Sequence, residues 1–167
     1  MKILGIDPGT ARIGWGLIES DERKIESLGY GLIKTHKATS PEKRLEQIYR
    51  QISAIIISDK PDLIAIERLF FCRNVTTAMA VSEARGVILL ASSMNKTEIA
   101  EYTPMQIKEA VTGYGRADKK QVMEMVKTIL KLKENPKVDD TADALGVAIC
   151  ASGAAKIEKK IKIEIGK

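Results

Sequence analysis

The stretch that most constrains the fold is Asp62-Leu63-Ile64-Ala65-Ile66-Glu67, which directly follows Pro61. Its apolar core has no polar side to turn to water, so a strand here must be covered on both faces. Such strands lie at the centre of parallel or mixed sheets, with helices packed above and below. This makes the chain an α/β protein, and its neighbouring segments supply the cover. Upstream, residues 39–57 carry Leu45, Ile48, Ile52 and Ile55 at helical spacing, with Pro41 suited to a first turn. Downstream, residues 75–95 form a second long helical pattern.

The other elements follow from turn chemistry. Residues 2–7 are an apolar run that ends at Asp7, just before the turn pair Pro8-Gly9. Residues 11–20 and 24–35 read as two more strands, joined by the charged link Asp21-Glu22-Arg23. Connections this short favour a meander of three antiparallel strands. Residues 97–103 are a further strand, and Thr103-Pro104 opens a short helix through Val111. Asp118 and Gln121 have capping-box spacing for a helix through Leu132, and a last helix starts at Asp139 or Asp140 and runs through Ala151. The expected order is β-β-β-α-β-α-β-α-α-α in a single domain of residues 1–155. Residues 156–167 form a charged C-terminal tail, read as an edge strand or a frayed end.

Several function classes fall away on composition. The longest apolar run, residues 86–91, is too short to span a bilayer. The N-terminus meets Asp7 and Pro8 almost at once, unlike a signal peptide, so a cytoplasmic location is expected. Cys72 and Cys150 are far apart and have no metal-type spacing, as in a reduced protein with two incidental thiols. The single histidine, His36, lies in a link, so histidine-dependent nucleophilic schemes have nothing to work with. The net charge of +5, from 27 basic and 22 acidic residues, fits a nucleic-acid partner without requiring one.

Three acidic features remain. Asp7 ends the first strand, where open α/β sheets place ligands, although Asp-Pro-Gly alone is ordinary turn chemistry. Glu67 ends the apolar strand, although a strand end reaching water would look the same. Asp139, Asp140 and Asp143 crowd the start of the last helix, where acids also serve as caps and dipole partners. Residues three or four apart share a helical face, so Asp143 can act with either Asp140 or Asp139. If the first and fourth strands are neighbours, Asp7 and Glu67 lie side by side and the last helix brings its aspartates over them. Acids converging in this way need a divalent cation. All-oxygen ligation suits Mg²⁺ or Mn²⁺, and two such ions can activate a water and stabilise the leaving oxygen of a phosphodiester.

Four segments in order, GIDPGTARIGWGLIE, IAIERLFFCRNVTTAMAVSEARGV, YTPMQIKEAVTGYGRADKKQVMEMV and NPKVDDTADALGVAI, resemble the RuvC-type Holliday junction resolvases of bacteria. The resemblance implies a ribonuclease H-like fold, a five-stranded mixed sheet in the order 3-2-1-4-5 flanked by helices. It also implies a homodimer that makes paired symmetrical nicks in four-way junction DNA during recombination and repair. Two Mg²⁺ ions per site would serve it, with Mn²⁺ as a substitute, and a branch-migration motor complex would be a partner. Residue by residue, Asp7 and Glu67 match the first two catalytic, metal-holding acids. The Asp143-Ala144-Leu145 sequence sets the register for the last two as Asp140 and Asp143, which leaves Asp139 as a cap or a neighbour that tunes the site. Phe70 matches an aromatic that works at the junction crossover, though a phenylalanine is more often core. Lys108 and Lys119 match basic residues tied to DNA contact and catalysis, Lys119 offsetting charge in the transition state; by default each is a solvated surface lysine.

Arg73, Arg116 and Lys120 flank the same segments and would extend a phosphate-binding surface. Apolar Met79, Val87, Ile88, Leu89 and Leu90 surround much of the long helix at 75–95, and Gly86 would admit a second backbone, as in a dimer. Two other functions compete. One is a non-catalytic junction-binding module on the same fold. The other is a fragment of an actin-like ATPase or phosphotransferase, suggested by Asp7-Pro8-Gly9-Thr10.

Overall fold

A computed structural model describes residues 1–68 and 75–165. Strands β1 (Lys2–Asp7), β2 (Arg12–Ser20) and β3 (Ile25–Lys34) form the antiparallel meander, and helix α1 (Pro41–Asp59) leads back to β4 (Leu63–Glu67). Helix α2 (Val75–Met94), strand β5 (Glu98–Tyr102) and helices α3 (Pro104–Thr112), α4 (Lys119–Leu130) and α5 (Asp139–Ile165) complete the chain. The sheet order is β3-β2-β1-β4-β5. β4 lies between β1 and β5 and is parallel to both, the central place that its apolar run demanded. The element order and the five-stranded mixed sheet are as expected.

Local chemistry explains the boundaries. Pro41 opens α1, and Lys60 closes it in the left-handed conformation (φ 48°), with Pro61 next to prevent continuation. Thr103 with Gln106 and Asp118 with Gln121 form complete capping boxes on α3 and α4. α4 ends at Leu130 rather than Leu132, because Lys131 turns left-handed (φ 52°).

The tail departs from expectation. α5 does not stop at Ala151 but continues without a break through Ile165, so residues 156–165 are neither strand nor frayed end. The isoleucines give a two-residue rhythm, yet Ile157 and Ile161 also stand four apart, and no proline intervenes. Extending an existing helix needs no new nucleus, so a lysine- and glutamate-rich segment follows it readily. Lys159 anchors the extension to Glu22 in the β2–β3 turn at 2.8 Å.

The sheet is covered on both faces, but by different means. One face packs Leu4, Ile6, Ile13, Leu17, Ile64 and Ile66 against Ile48, Ile52 and Ile56 of α1 and Ile88 of α2. On the other face α5 crosses the sheet, with α3 and α4 outside it. There a Cβ on Gly5 would fall 2.1 Å from the carbonyl oxygen of Ala144, and one on Gly14 would fall 1.8 Å from that of Asp140. Only glycine permits so close a contact between helix and sheet.

Candidate active site

Strand alternation decides where the first two acids point. On β1, Leu4 and Ile6 face α1 and α2, so Ile3, Gly5 and Asp7 face α5. On β4, Ile64 and Ile66 take the first face, so Leu63, Ala65 and Glu67 take the second. The strands are parallel neighbours with Ile6 opposite Ile66, which sets Asp7 and Glu67 side by side as their last residues. Pairing of Glu67 with Tyr102, and donation from the Arg68 amide to the Tyr102 carbonyl at 2.8 Å, hold the end of β4 in place.

The first turn of α5 supplies the other two acids. Asp140 and Asp143, three residues apart, share the helical face that looks onto the strand ends. Together with Asp7, Glu67, Lys108 of α3 and Lys119 of α4 they line a cleft of about 310 Å³. Asp139 is exposed and lies outside this lining. It occupies the first position of α5 rather than a cap before it, and its charge reaches the site by raising Asp143.

The cleft is electrostatically strained. Burial, then the charges of Glu67, Asp143 and Asp140, push the Asp7 carboxyl up to about 8. Asp7 therefore keeps its proton at neutral pH and hydrogen-bonds Glu67. Glu67 is also raised, chiefly by burial and then by the charge of Asp143, with Lys119 and Lys108 opposing. Asp143 is raised by burial and relieved by Lys119, whose Nζ stands 3.7 Å from Oδ2. Asp140 has a different partner, Arg12 at the start of β2, with Nε 3.1 Å from Oδ2. That contact is close but misaligned for a hydrogen bond, so Asp140 Oδ2 is buried without a hydrogen-bond partner.

An oxygen-only donor set with an unsatisfied buried carboxylate oxygen fits a hard divalent cation such as Mg²⁺ or Mn²⁺. In the present rotamers, among the described residues, no three acidic, histidine or cysteine side chains are grouped to enclose an ion.

The remaining candidates divide. Arg116 is exposed on the α3–α4 loop, and Lys120 lines a neighbouring groove with Tyr114 and Met125; neither lines the acid cleft. Phe70 and Arg73 lie outside the described residues. Arg12 escaped the sequence reading. It stands 128 positions before Asp140, and only its place five residues after Asp7, at the start of the next strand, could have drawn attention. No helix among the described residues is long and apolar enough to cross a membrane.

Comparison with known proteins agrees with this geometry. A family model described as crossover junction endodeoxyribonuclease RuvC matches residues 3–151. The protein of that name from Heliobacterium modesticaldum is 53% identical over 152 residues, covering 91% of this chain and 94% of the relative. Its namesake from Alkaliphilus metalliredigens is 48% identical over 164 residues, covering 98% and 100%. The solved structure of Thermus thermophilus RuvC in complex with Holliday junction substrate superposes with a TM-score of 0.87 at 30% identity, covering 94% of this chain and 96% of that one. With its ribonuclease H-like sheet and a match across nearly its whole length, the chain belongs to the crossover junction endodeoxyribonuclease RuvC family.

Proposed function

We propose that this protein resolves four-way DNA junctions by paired, symmetrical hydrolytic nicks, in recombination and repair. The observation that carries the reading is the convergence of Asp7, Glu67, Asp140 and Asp143, from two strands and one helix, in one cleft rimmed by Lys108 and Lys119. A pure DNA binder gains nothing from four carboxylates where phosphate must approach, which disfavours the non-catalytic module. The match of the crossover junction endodeoxyribonuclease RuvC family model to residues 3–151 disfavours the actin-like ATPase or phosphotransferase fragment.

The four acids would hold two Mg²⁺ ions, with Mn²⁺ as a substitute, and the ions supply the Lewis acidity that phosphodiester hydrolysis needs. The proton between Asp7 and Glu67 must leave before both can ligate. Lys119, 3.7 Å from Asp143, is set to oppose negative charge that builds on the phosphate in the transition state. Lys108, Arg116 and Lys120 extend a basic rim for the DNA backbone, so recognition of branched shape runs mainly through phosphates. Phe70, three residues after Glu67, would work at the crossover, and Arg73 beside it would meet phosphate.

A two-fold protein suits a substrate cut twice. Helix α2 supports it: Ala84, Ile88 and Ala91 are buried against the sheet, while Met79 and Leu90 are exposed on the opposite side, flanking an open Gly86. A cytoplasmic location and a branch-migration motor as partner fit the same role. Asp7→Asn should lower Mg²⁺-dependent nicking of a synthetic mobile junction by at least about 10³-fold, while junction binding in Ca²⁺ survives. Equal loss of binding and cleavage would remove Asp7 from the metal site.

A further inference from the structure

Two cations stand against the cleft acids. Lys119 of α4 faces Asp143, with Nζ 3.7 Å from Oδ2. Asp140 is relieved by Arg12, a residue from a different strand whose side chain is 60% exposed while that of Asp140 is only 22% exposed. A long, solvated side chain reaching in to a mostly buried carboxylate can leave again at little cost, because its own desolvation is slight. It also fails to hydrogen-bond the oxygen it neutralises, so the buried Oδ2 remains open to a better partner.

We infer that Arg12 is a positioning residue that holds the place of a cation on Asp140 and couples cation entry to DNA binding. It rests on the reading of Asp140 as a metal ligand. While Arg12 sits on Asp140, the guanidinium and a divalent cation compete for one carboxylate. Once the cation takes Oδ2, Arg12 is released to solvent at the start of β2, where a backbone phosphate offers the geometry that guanidinium groups prefer. DNA that captures Arg12 in turn leaves Asp140 free for the cation. Two ligands that each relieve the other's competitor bind with positive coupling, and that coupling is reciprocal. The two contacts are alternatives for one side chain, so no motion of the backbone is required.

The test is calorimetric titration with Mn²⁺ alone, then with Mn²⁺ on the protein bound to a four-way junction carrying uncleavable linkages at the scissile positions. Arg12→Gln should bind Mn²⁺ about two- to fivefold more tightly than the natural protein without DNA, the scale of one partly exposed ion pair. Arg12→Lys, which keeps the charge, should fall between them. Bound junction should strengthen Mn²⁺ binding to the natural protein by more than it does for Arg12→Gln. Equal or weaker Mn²⁺ binding by Arg12→Gln, or the same gain from DNA in both, would overturn the role of Arg12 while leaving the metal site standing. Absence of Mn²⁺ binding in every variant would overturn both. Thermal midpoints measured in chelator identify any variant whose altered affinity reflects damage to the fold instead.

Discussion

The two faces of the sheet solve the same burial problem in opposite ways. Toward α1 and α2, β1, β2 and β4 present isoleucine and leucine, and the helices answer with more isoleucine. Toward α5 they present Gly5, Gly14, Gly16 and Ala65 beside Ile3, Ile18 and Leu63, and the helix answers with Ala144, Leu145 and Ala148. The first face buries apolar volume and supplies stability. The second buries a core as well, but gives up volume at Gly5, Gly14 and Gly16 to bring a helix backbone against the strands, and the acids lie at the end of that contact. Both sides therefore stabilise the fold, but only the α5 side also places the acids, and substitutions should separate the two roles.

The largest expected effect is on the bulky face. Ile52 is fully buried among large neighbours, so Ile52→Ala should destabilise the fold by about 2–5 kcal/mol in denaturant titration. Junction cleavage measured well below the new midpoint should be nearly unchanged; a parallel collapse of activity would show that the faces are not separable. Gly14→Ala should act mainly on cleavage, although so close a contact with backbone also costs stability. Its added methyl meets the Asp140 carbonyl, so the start of α5 must shift, and a displacement of this kind can lower a catalysed rate by about 10²-fold. An Ala variant that cleaves normally would deny the close contact its role in placing Asp140.

A smaller effect concerns pH. Asp7 ionises at about 8 in the folded protein against 3.8 ordinarily, so between those values the native state holds a proton that the unfolded chain has lost. Its contribution to stability is present below the ordinary value and disappears as pH rises through about 8. The thermal midpoint in chelator should therefore fall as pH rises from 5 to 9, following the proton that the native state alone retains. Asp7→Asn should flatten that slope, and Mg²⁺ should raise the midpoint most at the alkaline end, where the acids are ionised and ready to ligate. A natural protein and Asp7→Asn with identical slopes would show that Asp7 does not carry the proton.

Much of this architecture is legible in the chain because its causes are local. Pro61 and the apolar run after it announce a central strand, and the pairs Thr103/Gln106 and Asp118/Gln121 mark helix starts through bonds made within three residues. Asp7 and Glu67 stand out as acids that end apolar strands. The aspartate triplet was harder, since helical spacing alone permits Asp143 to act with Asp139 or Asp140. Burial separates them, leaving Asp139 in solvent and turning Asp140 into the cleft. The tail reads as a strand or a frayed end because isoleucine alternates with charge there, whereas the helix already running into it continues through Ile165.

Sequence by itself determined the periodicities, the turns and the acids that end apolar strands, because each depends on neighbours a few residues apart. Only the tertiary structure decided that Arg12 would meet Asp140, that Asp7 would hold a proton near neutrality, and that glycines on two strands would admit the backbone of α5. Those outcomes depend on strand register and on distances between residues more than a hundred positions apart. No local pattern encodes such distances, and both the field in the cleft and the room beside a glycine are sums over everything packed around them.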